Sequence, residues 1–178
     1  MAEEKSNVVL IGMPGAGKST LGIVLAKIMA LKFVDADLVI QEQMDKTLQT
    51  IIDAMGPDGF IQVENEILSD LEAEETVIAT GGGVVLNEQN IENLRKTGVI
   101  FNLSPDFSVI RERLEEARKT RPLLKQDSIE NIKKRFDDRK PFYDNCDYKI
   151  NVIHGRTPRS YAMEILEIME SRQGAEKQ

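Results

Sequence analysis

The run Gly12-Met13-Pro14-Gly15-Ala16-Gly17-Lys18-Ser19-Thr20 follows the apolar stretch Asn7 to Ile11 and opens an amphipathic segment, Leu21 to Ala30. A strand apolar along its whole length that turns through glycines directly into a helix requires a sheet with both faces covered, and this narrows the choice of fold more than any other part of the chain. Glycines at 12, 15 and 17 allow the backbone to curl so that successive N–H groups point inward. The positive end of the following helix adds to that attraction for an anion. A glycine turn before an ordinary helix would need none of the residues that come next. Lys18 is placed to reach the β- and γ-phosphates of a nucleotide, and the Ser19 hydroxyl to take a Mg²⁺ position. Gly12, Gly15, Ala16, Gly17, Lys18, Ser19 and Thr20 are therefore candidate nucleotide-binding residues, with ATP as co-substrate and Mg²⁺ as cofactor.

At 178 residues and 41% hydrophobic content, the chain has room for one domain with a real core, residues 1–178, and not for two. A net charge of −7 and a pI near 4.9 oppose nonspecific binding to nucleic acid or anionic lipid. Small molecules are the expected partners of what is expected to be a monomer. The single cysteine, Cys146, excludes an internal disulfide, and with His154 as the one histidine a zinc site is implausible. The acidic start and the lack of a long apolar run predict a cytoplasmic protein with no membrane span.

Short apolar runs alternate with longer helical patterns, which predicts an α/β fold with a parallel sheet between helices. Strands are expected at 8–11, 32–34, 77–79, 99–103 and 149–152. Helices are expected at 18–30, 37–45, 48–54, 58–73, 88–97, 105–117, 128–142 and 157–171, with Gly56 to Gly59 breaking the chain and the polar end, Gln173 to Gln178, fraying. In such sheets ligands sit beyond the carboxyl ends of the strands. The glycine loop, Asp35/Asp37 and Gly81-Gly82-Gly83 all leave strands at that edge.

Phosphoryl transfer to an alcohol needs a metal organised around the triphosphate and a group that orients or deprotonates the hydroxyl. Asp35 and Asp37, two apart in what reads as extended backbone, point to one side. Asp35 is assigned to the metal, directly or through water, and Asp37 to the acceptor; capping of the helix that starts at 38 is the competing role for Asp37. Gly81, Gly82 and Gly83 let backbone approach a substrate unobstructed. Arg121, in the charged connection 116–127, can close as a lid over the phosphates and exclude water, or can be one residue of a solvated basic loop. Arg139 is a fork-shaped donor for a carboxylate or phosphate, although spacing alone favours an ion pair with Asp138 or Asp144.

In order, the glycine loop, Asp35-Ala36-Asp37, Gly59-Phe60 followed by Glu64, Ala79-Thr80-Gly81-Gly82-Gly83, Arg121-Pro122-Leu123-Leu124 and Arg139 to Tyr143 resemble the shikimate kinase family over about residues 7–170. The resemblance implies a three-layer sandwich of P-loop type with a five-stranded parallel sheet in the order 2-3-1-4-5. It implies transfer of the ATP γ-phosphate to the 3-hydroxyl of shikimate, with Lys18, Asp37 and Arg121 catalytic. Asp37, Gly82 and Arg139 would hold the acceptor, residues of about 37–73 would form its binding region, and adenine would lie between Arg113 and the loop carrying Arg156 and Pro158.

One position departs from the pattern. Where the family has Gly-Phe-Arg-x-x-Glu, this chain reads Gly59-Phe60-Ile61-Gln62-Val63-Glu64. The arginine that would pair with the acceptor's carboxylate is an isoleucine, which has neither charge nor donor. A lost charge-assisted contact costs about 1.5–3 kcal/mol. Three readings follow: a shikimate kinase with a weakened acceptor site, a kinase of the same build for a related polyol without the carboxylate, or a nucleotide-binding module without catalysis. A nucleoside monophosphate kinase fits poorly, because residues 58–75 hold no basic side chain for an acceptor phosphate.

Overall fold

The computed structural model describes residues 6–120 and 128–176. Five parallel strands form one sheet in the order β2-β3-β1-β4-β5: β1 (Asn7–Ile11), β2 (Lys32–Asp35), β3 (Thr76–Ala79), β4 (Gly98–Pro105) and β5 (Tyr148–Val152). This is the expected α/β architecture and strand order. Every residue of β1 and β3 is buried, as strands covered on both faces must be, whereas edge strand β5 alternates between buried and exposed.

The two-residue period of β1 divides the core. Val8 and Leu10 face one side, where they pack with Phe101 and Leu103 of β4 against Leu21 and Leu25 of helix α1 (Lys18–Met29) and Ala162 and Ile165 of α7 (Pro158–Glu176). Val9 and Ile11 face the other side, with Ile78, Ile100, Ile91 of α4 (Glu88–Thr97), Ile110 of α5 (Phe107–Thr120) and Tyr143 of α6 (Ile129–Tyr143). Each fully buried aliphatic side chain contributes about 1.5–3 kcal/mol, so these layers hold the strand ends in register. A third, smaller cluster, Ile40, Ile51, Val63 and Ile67, joins α2 (Ala36–Met44) to α3 (Leu48–Ser69). The region expected to bind the acceptor thus has a core of its own.

Several expectations need correction. The helices expected at 48–54 and 58–73 do meet at a break, Gly56, whose φ of 72° and ψ of 174° are non-helical, but the second ends at Ser69 rather than 73; the two are numbered together as α3. Pro57 fixes φ and lacks an N–H, which suits a helix restart rather than an open loop. The end of α7 is helical to Glu176 rather than frayed from 173. Asp37 does not cap α2: the cap is Asp35, whose Oδ1 accepts from the Asp37 N–H at 3.1 Å. The two aspartates are therefore brought together by a helix start and not by extended backbone. The helix expected at 105–117 runs from Phe107 to Thr120, so residues 116–120 of the expected lid are helical. The remainder of that lid, with Arg121, lies outside the described residues.

Candidate active site

The glycine loop adopts backbone that other residues resist. Gly12, Gly15 and Gly17 have φ of 145°, 83° and 97°, and a Cβ on Gly12 would sit 2.6 Å from the Leu103 carbonyl oxygen. Gly17 caps α1 without a side chain, which leaves the first N–H groups of that helix facing a cavity of about 650 Å³. Gly15, Ala16, Lys18, Ser19 and Thr20 line this cavity on one side, and Asp37, Thr80 and Gly82 on another. Most residues assigned to phosphate therefore share one space with Asp37 and Gly82 of the acceptor set, whereas Gly12, Asp35, Gly81, Gly83 and Arg139 do not line it.

Lys18 is buried, and its Nζ donates to the carbonyl oxygens of Gly12 at 2.7 Å and Met13 at 3.1 Å. Burial pushes its pKa down to about 8, against the opposing pull of Asp37, Asp35 and Glu64. Asp37 shifts the other way: burial and then the nearby Asp35 raise its carboxyl above the usual range, with Lys18 opposing. A carboxylate with raised basicity beside an anion cradle can accept a proton from a hydroxyl as that hydroxyl attacks phosphorus.

Arg139 does not form the expected ion pair with Asp138 or Asp144. Its Nη1 donates to the Gly82 carbonyl oxygen at 3.2 Å, and Asp144 instead takes Lys149. Gly81, Gly82 and Gly83 are needed for packing as much as for access. A Cβ on Gly82 would meet the Pro14 ring at 2.5 Å, and one on Gly83 would lie 2.9 Å from Glu64 Oε2. On the nucleotide side, Arg113 Nη1 donates to the carbonyl oxygens of Gly15 at 3.0 Å and Ala16 at 2.8 Å. Arg156 stacks over the Tyr161 ring at 4.3 Å and pairs with Glu164 at 2.9 Å, with Pro158 beside them on the cavity wall. His154 pairs with Glu112 at 2.8 Å, consistent with a structural role.

Sequence reasoning missed three residues here. Thr80 lines the cavity and donates its hydroxyl to the Leu10 carbonyl oxygen at 3.0 Å, and its place directly after a strand was the available signal. Tyr143 donates to the Gly82 carbonyl oxygen at 2.7 Å, while burial raises its phenol to about 12. Glu64 is fully buried beneath Gly81 and Gly83, and burial, then Asp37, raise its carboxyl to about 7. Its spacing from Ile61, one helical turn earlier, places both on the same side of α3.

A dipole-backed anion cradle with its lysine, sharing one cavity with an aspartate of raised pKa on a 2-3-1-4-5 parallel sheet, defines a P-loop kinase of small molecules. The family model for shikimate kinase matches residues 14–170. A shikimate kinase of Caldicellulosiruptor bescii is 38% identical over 164 residues, covering 91% of this chain and 94% of that protein. One of Vibrio parahaemolyticus is 34% identical over 172 residues, covering 95% and 99%. The solved structure of Acinetobacter baumannii shikimate kinase in complex with shikimate superimposes with a TM-score of 0.85 at 30% identity, covering 96% of each chain. The chain belongs to the shikimate kinase family.

Proposed function

We infer that this protein transfers the γ-phosphoryl group of ATP to the 3-hydroxyl of shikimate, a step in the synthesis of aromatic amino acids. The observation that carries this reading is the shared cavity, with Lys18 and Ser19 on one wall and Asp37 on another. It is supported by family membership and by the likeness to a structure solved with shikimate.

In this reading the N–H groups from Gly15 to Thr20 hold the phosphates. Lys18 exchanges its carbonyl partners at Gly12 and Met13 for phosphate oxygens and stabilises charge on the transferring group. Asp37 orients the acceptor hydroxyl and takes its proton as the new P–O bond forms and the bond to the β-phosphate oxygen breaks, leaving ADP. Arg139, anchored to Gly82, offers its remaining donors to the acceptor carboxylate. The stacked Arg156 and Tyr161, with Arg113 and Pro158, form the adenine end.

The residues present fit Mg²⁺. Ser19 lines the cavity, and Asp35 uses Oδ1 in capping α2, which leaves its second oxygen available directly or through water. Such an ion would neutralise charge between the β- and γ-phosphates.

In this reading the chain acts as one kinase domain, with α2 and α3 carrying the acceptor region, and works as a monomer. A cytoplasmic location belongs to the same reading. Among the described residues no helix is long and apolar enough to cross a membrane.

Ile61, half-buried near Gly83, favours a second reading in which the acceptor is a related polyol without a carboxylate. Turnover of purified protein with ATP on shikimate and on a panel of cyclitols and sugars decides between them. Shikimate-dependent ADP release with a phosphorylated product is the expected result. Turnover confined to uncharged polyols would transfer the assignment to the second reading.

A further inference from the structure

Both carboxyl oxygens of Glu64 are buried with no hydrogen-bond partner, and among the described residues no other buried side-chain oxygen or nitrogen is in that state. The carboxyl is packed into a cradle that a side chain would fill: a Cβ on Gly81 would collide with Oε1 and lie 3.0 Å from Asp37 Oδ1, and one on Gly83 would lie 2.9 Å from Oε2 and 4.0 Å from Ile61 Cγ1. Glu64 thus lies beneath Gly81, on whose other neighbour Asp37 it acts electrostatically, and the helical position one turn before it carries an isoleucine. The charged and titratable groups that face it are Asp37 of α2, Lys18 of α1 and Arg139 and Tyr143 of α6, with Asp35 acting on both Lys18 and Asp37. Lys18 is committed to the phosphate loop and Arg139 to Gly82, so neither cation makes a contact with the Glu64 oxygens.

A buried carboxylate without a cation or donor is costly, and taking up a proton is the ordinary relief. We propose that Glu64 is a specificity-determining residue that makes affinity for the acceptor depend on pH: with isoleucine at 61, a proton rather than a guanidinium neutralises it, and its ionised form repels an anionic acceptor. Shikimate binding then selects the protonated site and draws in a proton where Glu64 is ionised. The inference rests on the acceptor being shikimate, whose carboxylate stays ionised throughout the relevant range.

The test is the KM for shikimate between pH 6 and pH 8 at saturating ATP. With Glu64 titrating near 7, KM rises roughly tenfold across that interval while the KM for ATP does not follow. Glu64→Gln, which keeps the shape and removes the titration, holds KM near its acid value throughout, and Ile61→Arg, which supplies the cation, flattens the profile as well. Calorimetry of the wild type at pH 8 in two buffers of different ionisation enthalpy should register close to one proton taken up per shikimate bound, a readout that needs no variant. A flat KM with normal turnover, a profile unchanged in Glu64→Gln, or binding without proton uptake overturns the proposal and leaves the acceptor assignment standing. Absence of shikimate turnover at every pH defeats the acceptor assignment itself, and this inference with it.

Discussion

Arg139 and Tyr143, one helical turn apart on α6, both donate to the carbonyl oxygen of Gly82, at 3.2 Å and 2.7 Å. The helix is thereby fixed to the glycine segment that leaves β3, and in the proposed reading the guanidinium keeps its other donors for the acceptor. Tyr143→Phe removes one of the two bonds and loosens the other. The expected result is a stability loss of about 0.5–1.5 kcal/mol in denaturant unfolding and a shikimate KM raised several-fold, with kcat changed far less. An unchanged KM would mean that Tyr143 supports the fold alone.

Gly82 is held against Pro14 of the phosphate loop, and a proline ring yields little. Gly82→Ala sets a Cβ 2.5 Å from that ring, so the loop has to shift. We expect about 1–3 kcal/mol of destabilisation together with weaker ATP binding by calorimetry. Gly174→Ala is the control: nothing lies within 4 Å of its new methyl group, it sits within α7, and it should stabilise by about 0.4–1 kcal/mol. Normal ATP affinity in Gly82→Ala would show that the two loops are mechanically independent.

Lys18 has a folded pKa lowered from 10.5 to about 8. Between those values the unfolded chain binds the extra proton, so this group's contribution to stability is fully present above 10.5 and is lost as pH falls through 8. Triphosphate oxygens reverse the shift by supplying the missing counter-charge. ATP binding at pH 9 should therefore take up a proton, measurable as a buffer-dependent enthalpy, and Lys18→Met should abolish that uptake. Uptake that survives the substitution would assign the proton elsewhere.

Glu64 has the opposite sign. Its pKa is raised from 4.5 to about 7, so its contribution to stability is fully present below 4.5 and is lost as pH rises through 7. The ligand-free protein should lose about 3 kcal/mol of unfolding free energy from this group across that window, and Glu64→Gln should recover most of it at neutral pH. Parallel pH curves for the two proteins would contradict the assignment.

The parts of the fold that rest on strong, local patterns were legible in the sequence. A β1 apolar from Val8 to Ile11 and followed by glycines and a lysine admits little besides a covered parallel sheet, which the structure shows, with a glycine turn into a helix start. The strand order came from resemblance, because alternation along a chain says nothing about which strands are neighbours. What escaped notice depends on contacts distant in sequence. The attachment of Arg139 to Gly82 spans 57 residues, and spacing on one helix offered only Asp138 or Asp144 as partners. The competing role of Asp37 as a cap falls away because α2 starts at Ala36, two residues before 38, so that Asp35 caps it instead. Glu64 could be read as part of a motif, but its lack of partners becomes visible only when the glycines above it and the isoleucine one turn away are placed in space.

We propose that one cavity sets Asp37 against a phosphate cradle so that a hydroxyl is phosphorylated there. The most direct test is shikimate-dependent ADP release by the wild type and by Asp37→Asn, with ATP affinity measured alongside. The account expects robust turnover by the wild type, kcat lower by about 10²–10⁴-fold in the variant, and ATP binding retained in both. Equal turnover by the two proteins, or no turnover by the wild type despite bound ATP, would contradict it.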